Sequence, residues 1–320
     1  MTPKSILIDT DPGIDDALAI LLAAASSEVQ LEGVTVVHGN CPLKQGVVNA
    51  LSILELIDAT HIPVVAGLSR PLVKEALFAE ETHGPQGLGY ATLDPPSTDP
   101  VDMHAVDFLI DAVLSKPGEV SIVAIGPLTN IALAMRMEPA LQNAVREVII
   151  MGGAIRHQGN TTPLAEYNTY ADPHAAHIVF HSEMPITLVP LDVTYQCLLT
   201  SENVNSLLER GSSIAEFIDQ ATRYYMEFHD SYQSMQGCVI NDPLALALTF
   251  APELCDYKEL YVDVDLSGGV SMGNTFADFY HLEGKQPNMR VALDVKPRAF
   301  IQLFMTHMEK LMEKEVSGKA

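Results

Sequence analysis

The chain has 320 residues, 48% hydrophobic and 18% charged, a composition that belongs to a globular protein with a substantial core rather than to a disordered one. Against 18 Lys and Arg stand 41 Asp and Glu, a formal net charge of −23 that repels phosphate backbones and anionic lipid. Nucleic acid and membrane surfaces are therefore disfavoured as partners, whereas neutral ligands, cationic ligands and divalent metal ions suit the charge.

The opening MTPKSILIDTDPG enters a strand-like run at once, without a charged segment leading into an apolar one, so no secretory signal is expected. No uncharged apolar run reaches the roughly 18 residues of a spanning helix. Cys41, Cys197, Cys238 and Cys255 lie far apart with no CxxC and are expected as reduced core thiols. A cytoplasmic location follows from these two expectations.

Near-continuously apolar runs at Ile6–Ile8, Val34–His38, Pro63–Ala66, Val120–Ile125, Val148–Met151 and Ile186–Leu191 predict central parallel strands covered on both faces. Helical patterns at Ala17–Ala25, Gly46–Ile57, Ala105–Leu114, Ile131–Met135 and Ala175–His181 alternate with them. This is the spacing of βαβ units, so the expected fold is α/β, a mostly parallel Rossmann-like sheet flanked by helices, with residues 1–320 as one domain. Further on, helices are predicted at Ser213–Phe228 and Pro243–Phe250 and strands at Leu260–Asp265 and Val291–Val295. Residues 78–100, rich in Gly and Pro, predict a long loop of the kind that serves active sites, and the charged tail after Lys310 is expected to fray.

The densest chemical signal is Asp9-Thr10-Asp11-Pro12-Gly13-Ile14-Asp15-Asp16, directly after the first strand, where open α/β sheets bind their ligands. Capping of the following helix uses one or two acids. Four carboxylates in eight residues repel one another, and a cation or a raised pKa relieves that repulsion. All the candidate ligands are oxygens, which suits a hard ion, calcium or magnesium, over zinc. Three more strand ends or helix starts carry polar groups. They are Gly126-Pro127-Leu128-Thr129-Asn130, the loop from Gly152 through Asn160, Glu166, Tyr167 and Asn168, and Asn241-Asp242-Pro243. Amides and a carboxylate on an irregular loop are the donors and acceptors that a polyhydroxyl ligand requires. Taken alone, Asp242 reads as a helix N-cap followed by Pro at N1.

Together, DTDPGIDDA, GPLTN, MGG, GN…EYN…DP and NDP, in order from about residue 5 to 300, resemble the calcium-dependent nucleoside hydrolases. The resemblance implies the nucleoside hydrolase fold and hydrolysis of the N-glycosidic bond of ribonucleosides. It also implies a Ca2+ held by Asp11, Asp16, Asp242 and the backbone carbonyl of Thr129, with Asp11 taking the proton of a calcium-bound water that attacks ribose C1′. Asp15, Asn160, Glu166 and Asn168 match residues that hydrogen-bond the ribose hydroxyls, Met151 lines the pocket, and Asn40 and His83 match positions near the base. Relatives of this kind are commonly homodimers or homotetramers.

One departure concerns the leaving base. Many members carry His immediately before the last metal Asp, whereas this chain carries Asn241, which donates a hydrogen bond but is no general acid at neutral pH. The chain has no Trp, so stacking of a purine between tryptophans is closed. His83 remains as a catalytic acid beside Asn241, with Tyr224, Tyr225, His229 and Tyr232 as further candidates. The departure also leaves open a binding protein that has lost turnover, or a modified nucleoside as substrate. Finally, His174, His177 and His181 share a helix face, but no Cys or acid completes a tetrahedral zinc set with them, so that face is expected on the outer surface or at an interface.

Overall fold

The computed structural model describes residues 2–318. In chain order the elements are β1 (Lys4–Thr10), α1 (Ile14–Ala25), β2 (Val29–Val36), α2 (Leu43–Leu56), β3 (Val64–Ala66), α3 (Glu80–His83), α4 (Ala105–Ser115), β4 (Val120–Ala124), α5 (Thr129–Met137), α6 (Leu141–Ala144), β5 (Glu147–Met151), α7 (Tyr167–Ala171) and α8 (Pro173–Phe180). They continue with β6 (Ile186–Val189), α9 (Leu191–Thr194), β7 (Leu198–Leu199), α10 (Ser201–Leu208), α11 (Ser213–Gln233), β8 (Cys238–Val239), α12 (Asn241–Ala247), β9 (Cys255–Leu260), β10 (Val262–Val264), β11 (Thr275–Ala277), β12 (Met289–Val295) and α13 (Pro297–Gly318).

Eight strands form one sheet in the order β3-β2-β1-β4-β5-β6-β12-β9. Every pairing is parallel except β9 against β12. Two apolar layers cover the sheet, and strand alternation sorts residues between them. Ile6, Ile8, Val123, Ile149 and Val189 face the layer that contains α1 and α12, while Leu7, Ile122, Val148 and Leu188 face the layer built on α4, α5 and α8. The site therefore sits on strands that are buried on both faces.

The differences from expectation have local causes. β2 begins at Val29, ahead of the apolar run, because Gln30 and Glu32 lie at its wetter end and Glu32 pairs with Ser5 and Lys116. The run predicted as one strand at Leu260–Asp265 breaks at Tyr261, with β9 joining the large sheet and β10 pairing with β11 in a separate hairpin. β9 is buried only at its ends, Cys255 and Leu260, with exposed or half-buried residues between, which suits its edge position. Inside the predicted loop of residues 78–100 stands the short helix α3, and Leu88 and Ala91 are buried. The expected fraying after Lys310 gives way to helix: α13 runs on to Gly318, because Phe300, Phe304, Met308, Leu311 and Met312 form a buried stripe along it. The last two residues of the predicted tail lie outside the described residues.

Candidate active site

The β1–α1 turn reaches the carboxyl end of the sheet, and its four acids are all buried. Asp9 turns away from the ligand side. Its Oδ1 accepts from Thr35 Oγ1 at 2.6 Å and Asn130 Nδ2 at 2.8 Å, and burial outweighs these bonds to push its pKa up to about 7. Asp16 takes the capping work of the turn, accepting from Gly13 N at 2.9 Å and Asn40 Nδ2 at 2.8 Å as well as from Thr10 Oγ1. Asp11 accepts from Asn40 N at 2.7 Å through Oδ2, while its buried Oδ1 has no hydrogen-bond partner. Two glycines make room for it. A Cβ on Gly39 would overlap Asp11 Oδ2, and one on Gly126 would come within 2.7 Å of Asp11 Oδ1.

Asp15, Asp16 and Asp242 each offer an oxygen, all within 4.8 Å of one another. α12 begins at Asn241 and has no side-chain cap, so the capping role expected of Asp242 is not made and its carboxylate is left for the cluster. Burial raises the pKa of Asp11, Asp16 and Asp242, and repulsion from their carboxylate neighbours raises each further. Asp15 is raised by burial against hydrogen bonds from Asn241 and Tyr225. Packed carboxylates with an orphaned oxygen are what a dication neutralises, and oxygen-only donors suit calcium or magnesium chemistry. The residues present fit such an ion.

A cavity of about 560 Å³, including its open mouth, rises from this floor. Asp15, Asn40, His83, Met151, Asn160, Glu166, Asn168, Asn241 and Asp242 all line it, so most of the expected site residues converge. Glu166 caps α7, accepting from Gly153 N at 2.8 Å, Asn168 N at 2.7 Å and Thr169 N at 3.0 Å. Asn168 Nδ2 donates to the carbonyl of Ile125 at 3.0 Å, and Asn160 Oδ1 accepts from Tyr167 N at 2.9 Å. Asn40 gives its amide to Asp16 and so belongs with the carboxylate floor.

Thr129 is placed differently. Like Asp11 and Asp16 it is absent from the cavity wall, and its hydroxyl lies 2.8 Å from Asp172 and 3.1 Å from His38 Nε2. Ile125, at the end of β4, lines the cavity in its stead.

On the opposite wall His83 Nδ1 accepts from Ile14 N at 3.1 Å, so the neutral ring carries its proton on Nε2. His229 is the reverse tautomer, its Nδ1–H donating to the Tyr225 carbonyl at 2.8 Å. Burial pulls both rings down to about 4, so both are neutral at pH 7. Tyr225 lies between them, with ring centroids 5.4 Å from His83 and 4.4 Å from His229. Tyr224 and Tyr232 drop out as candidates: the Tyr224 hydroxyl bonds the carbonyls of Glu80 and Glu81, and Tyr232 is exposed.

Residues 6–302 match the family profile described as inosine-uridine preferring nucleoside hydrolase. The chain belongs to this nucleoside hydrolase family. It is 36% identical over 311 residues to the inosine-uridine preferring nucleoside hydrolase of Crithidia fasciculata, covering 97% of this chain and 98% of that one. It is 35% identical over 305 residues to the pyrimidine-specific ribonucleoside hydrolase RihA of Escherichia coli O8 (strain IAI1), covering 95% and 98%. The solved purine-preferring ribonucleoside hydrolase from Gardnerella vaginalis superposes with a TM-score of 0.92 at 33% identity, covering 97% of this chain and 99% of that one.

Several cavity residues of this nucleoside hydrolase carry no signal in the sequence: Ile125, Tyr195, Phe228 and Gln233. Phe228 and Gln233 lie on amphipathic α11, where an aromatic or amide at helical spacing reads as core or surface. Ile125 is an apolar residue just past β4 whose carbonyl accepts from Asn168.

Proposed function

We propose that this chain hydrolyses the N-glycosidic bond of ribonucleosides to ribose and free base. The observation that carries the proposal is the orphaned Asp11 Oδ1 beside the converging carboxylates of Asp15, Asp16 and Asp242, of which Asp15 and Asp242 line a cavity walled by Glu166, Asn160 and Asn168. The ion we assign there is Ca2+, held by Asp11, Asp16, Asp242 and the carbonyl of Ile125. Once bound, it supplies positive charge that acidifies water and orients vicinal hydroxyls.

Asp11 serves as the general base. Its free oxygen accepts the proton of the water that adds to C1′ as the C1′–N bond breaks, the bonding pair leaving with the base. Asp15, held by Asn241 Nδ2 at 2.8 Å, accepts from a ribose hydroxyl, and Glu166, Asn160 and Asn168 hold the remaining hydroxyls. These acceptors favour the cationic character that grows on the ring. Asn241 spends its amide on Asp15 and is a positioning residue. His83 presents Nε2–H to the departing base as a hydrogen-bond donor. The test is base release from uridine, cytidine, inosine and adenosine with and without a calcium chelator. Release from at least one, abolished by chelation and restored by calcium, is expected. Silence with all four in calcium contradicts the proposal.

A further inference from the structure

Away from the cavity, His177 in the last turn of α8 and His181 at its C-cap face Asp263 of β10. In the sequence no acid completes a set with these histidines. The fold supplies one from 86 positions along the chain. His177 Nδ1 lies 2.9 Å from Asp263 Oδ1 and His181 Nε2 lies 3.4 Å from Asp263 Oδ2. Tyr261 adds a hydroxyl 3.2 Å from His181 Nε2 and 3.1 Å from Asp263 Oδ2.

The tautomer of His181 is settled by a second contact. Its Nδ1 lies 2.9 Å from the His177 carbonyl, which only accepts, so Nδ1 carries a proton and Nε2 is the nitrogen turned toward the carboxylate. Tyr261 has one hydroxyl proton to give to these two acceptors, and a proton on Nε2 or a metal ion between them satisfies both. Asp263 is held in place by Val264 N, which donates to Oδ1 at 2.8 Å. Two imidazoles and one carboxylate, with a side open to water, form a donor set that favours zinc over calcium. Calcium instead prefers the all-oxygen floor of the cavity.

We propose that His177, His181 and Asp263 form a second metal site, for zinc or a similar transition-metal dication, that clips α8 to the β10–β11 hairpin. Ligand atoms now 2.9–3.4 Å apart need to open only slightly to take an ion at about 2.0–2.2 Å from each donor. The cleft lined by Met135, Arg136, Gln142, His177 and His181 gives access from solvent. Two cations face the site. Arg136 is on the cleft wall, and Lys285 donates to the Tyr261 hydroxyl at 2.6 Å from an exposed loop position, free to turn to solvent.

The full chain, in excess calcium, is titrated with zinc sulfate, desalted, and assayed for bound zinc and for its unfolding midpoint. The proposal expects one zinc per chain that calcium does not displace, with a raised midpoint. His181→Gln and Asp263→Asn should lose both effects while retaining native circular dichroism and wild-type base release. No retained zinc in the wild type, displacement by calcium, or undiminished zinc in both variants would each overturn it, leaving a cluster of ion pairs only.

Discussion

Asn241 Nδ2 donates to Asp15 Oδ2 at 2.8 Å, joining the first residue of α12 to the first turn of α1 across 226 positions. Among the described residues the only other side-chain donor to that oxygen is the Tyr225 hydroxyl, at 3.5 Å. Asp15 is buried, so its readiness to accept from a ribose hydroxyl depends on this amide. Asn241→Ala should raise KM for a nucleoside about tenfold or more, the cost of roughly 1.5–3 kcal/mol for a hydrogen bond to a charged group. Asn241→Asp, which adds another carboxylate to the cluster, should be worse. Steady-state kinetics on both variants check the order, and equal KM values in wild type and Asn241→Ala would refute the positioning role.

Gly39 and Gly126 contact Asp11 so closely that neither tolerates a side chain. Gly39→Ala should push the Asp11 carboxylate aside and lower kcat by about 10²-fold, the usual cost of misplacing a catalytic group by an ångström. The variant remains folded by circular dichroism if the displacement is local. A Gly39→Ala enzyme with wild-type kcat would show that Asp11 does not act from its observed position.

The carboxylate floor makes opposite predictions with and without a cation. In chelator, Asp242→Asn removes one of several repelling buried charges and should stabilise the fold by about 1–3 kcal/mol. In calcium the same variant should gain less stability than the wild type, because a ligand is gone. Denaturant melts in both conditions check this. Loss of stability in chelator on removal of Asp242 would contradict a repulsive cluster.

His229 predicts a pH effect of definite sign. Burial holds its pKa near 4, against 6.5 ordinarily, so folding favours the neutral ring. The resulting stability is present above pH 6.5 and is lost as pH falls through 6.5 toward 4. Between pH 7 and pH 4 the wild type should lose up to about 3 kcal/mol more than His229→Gln. Parallel stability profiles for the two proteins would show that the ring is not held neutral.

Much of this arrangement is legible in the sequence because it is local. Parallel strands buried on both faces read as unbroken apolar runs, and the DTDPGIDD turn concentrates its acids within eight residues. The rest is illegible for physical reasons. A backbone carbonyl leaves no mark in residue type, so Ile125 shows nothing in the sequence of its place in the cavity. Phe228 and Gln233 reach the cavity from α11, whose apolar stripe disguises them as packing residues. Asp263 joins His177 only through tertiary folding, and β9, an edge strand with four polar or half-exposed residues between its buried ends, shows no apolar run.

The central claim is that Asp11 takes the proton of the attacking water. Its most direct test is the kcat for base release from uridine and inosine by Asp11→Asn in saturating calcium, with the fold verified by circular dichroism. The account predicts a loss of about 10²–10⁴-fold, the contribution of a positioned general base. Turnover at the wild-type rate would contradict it.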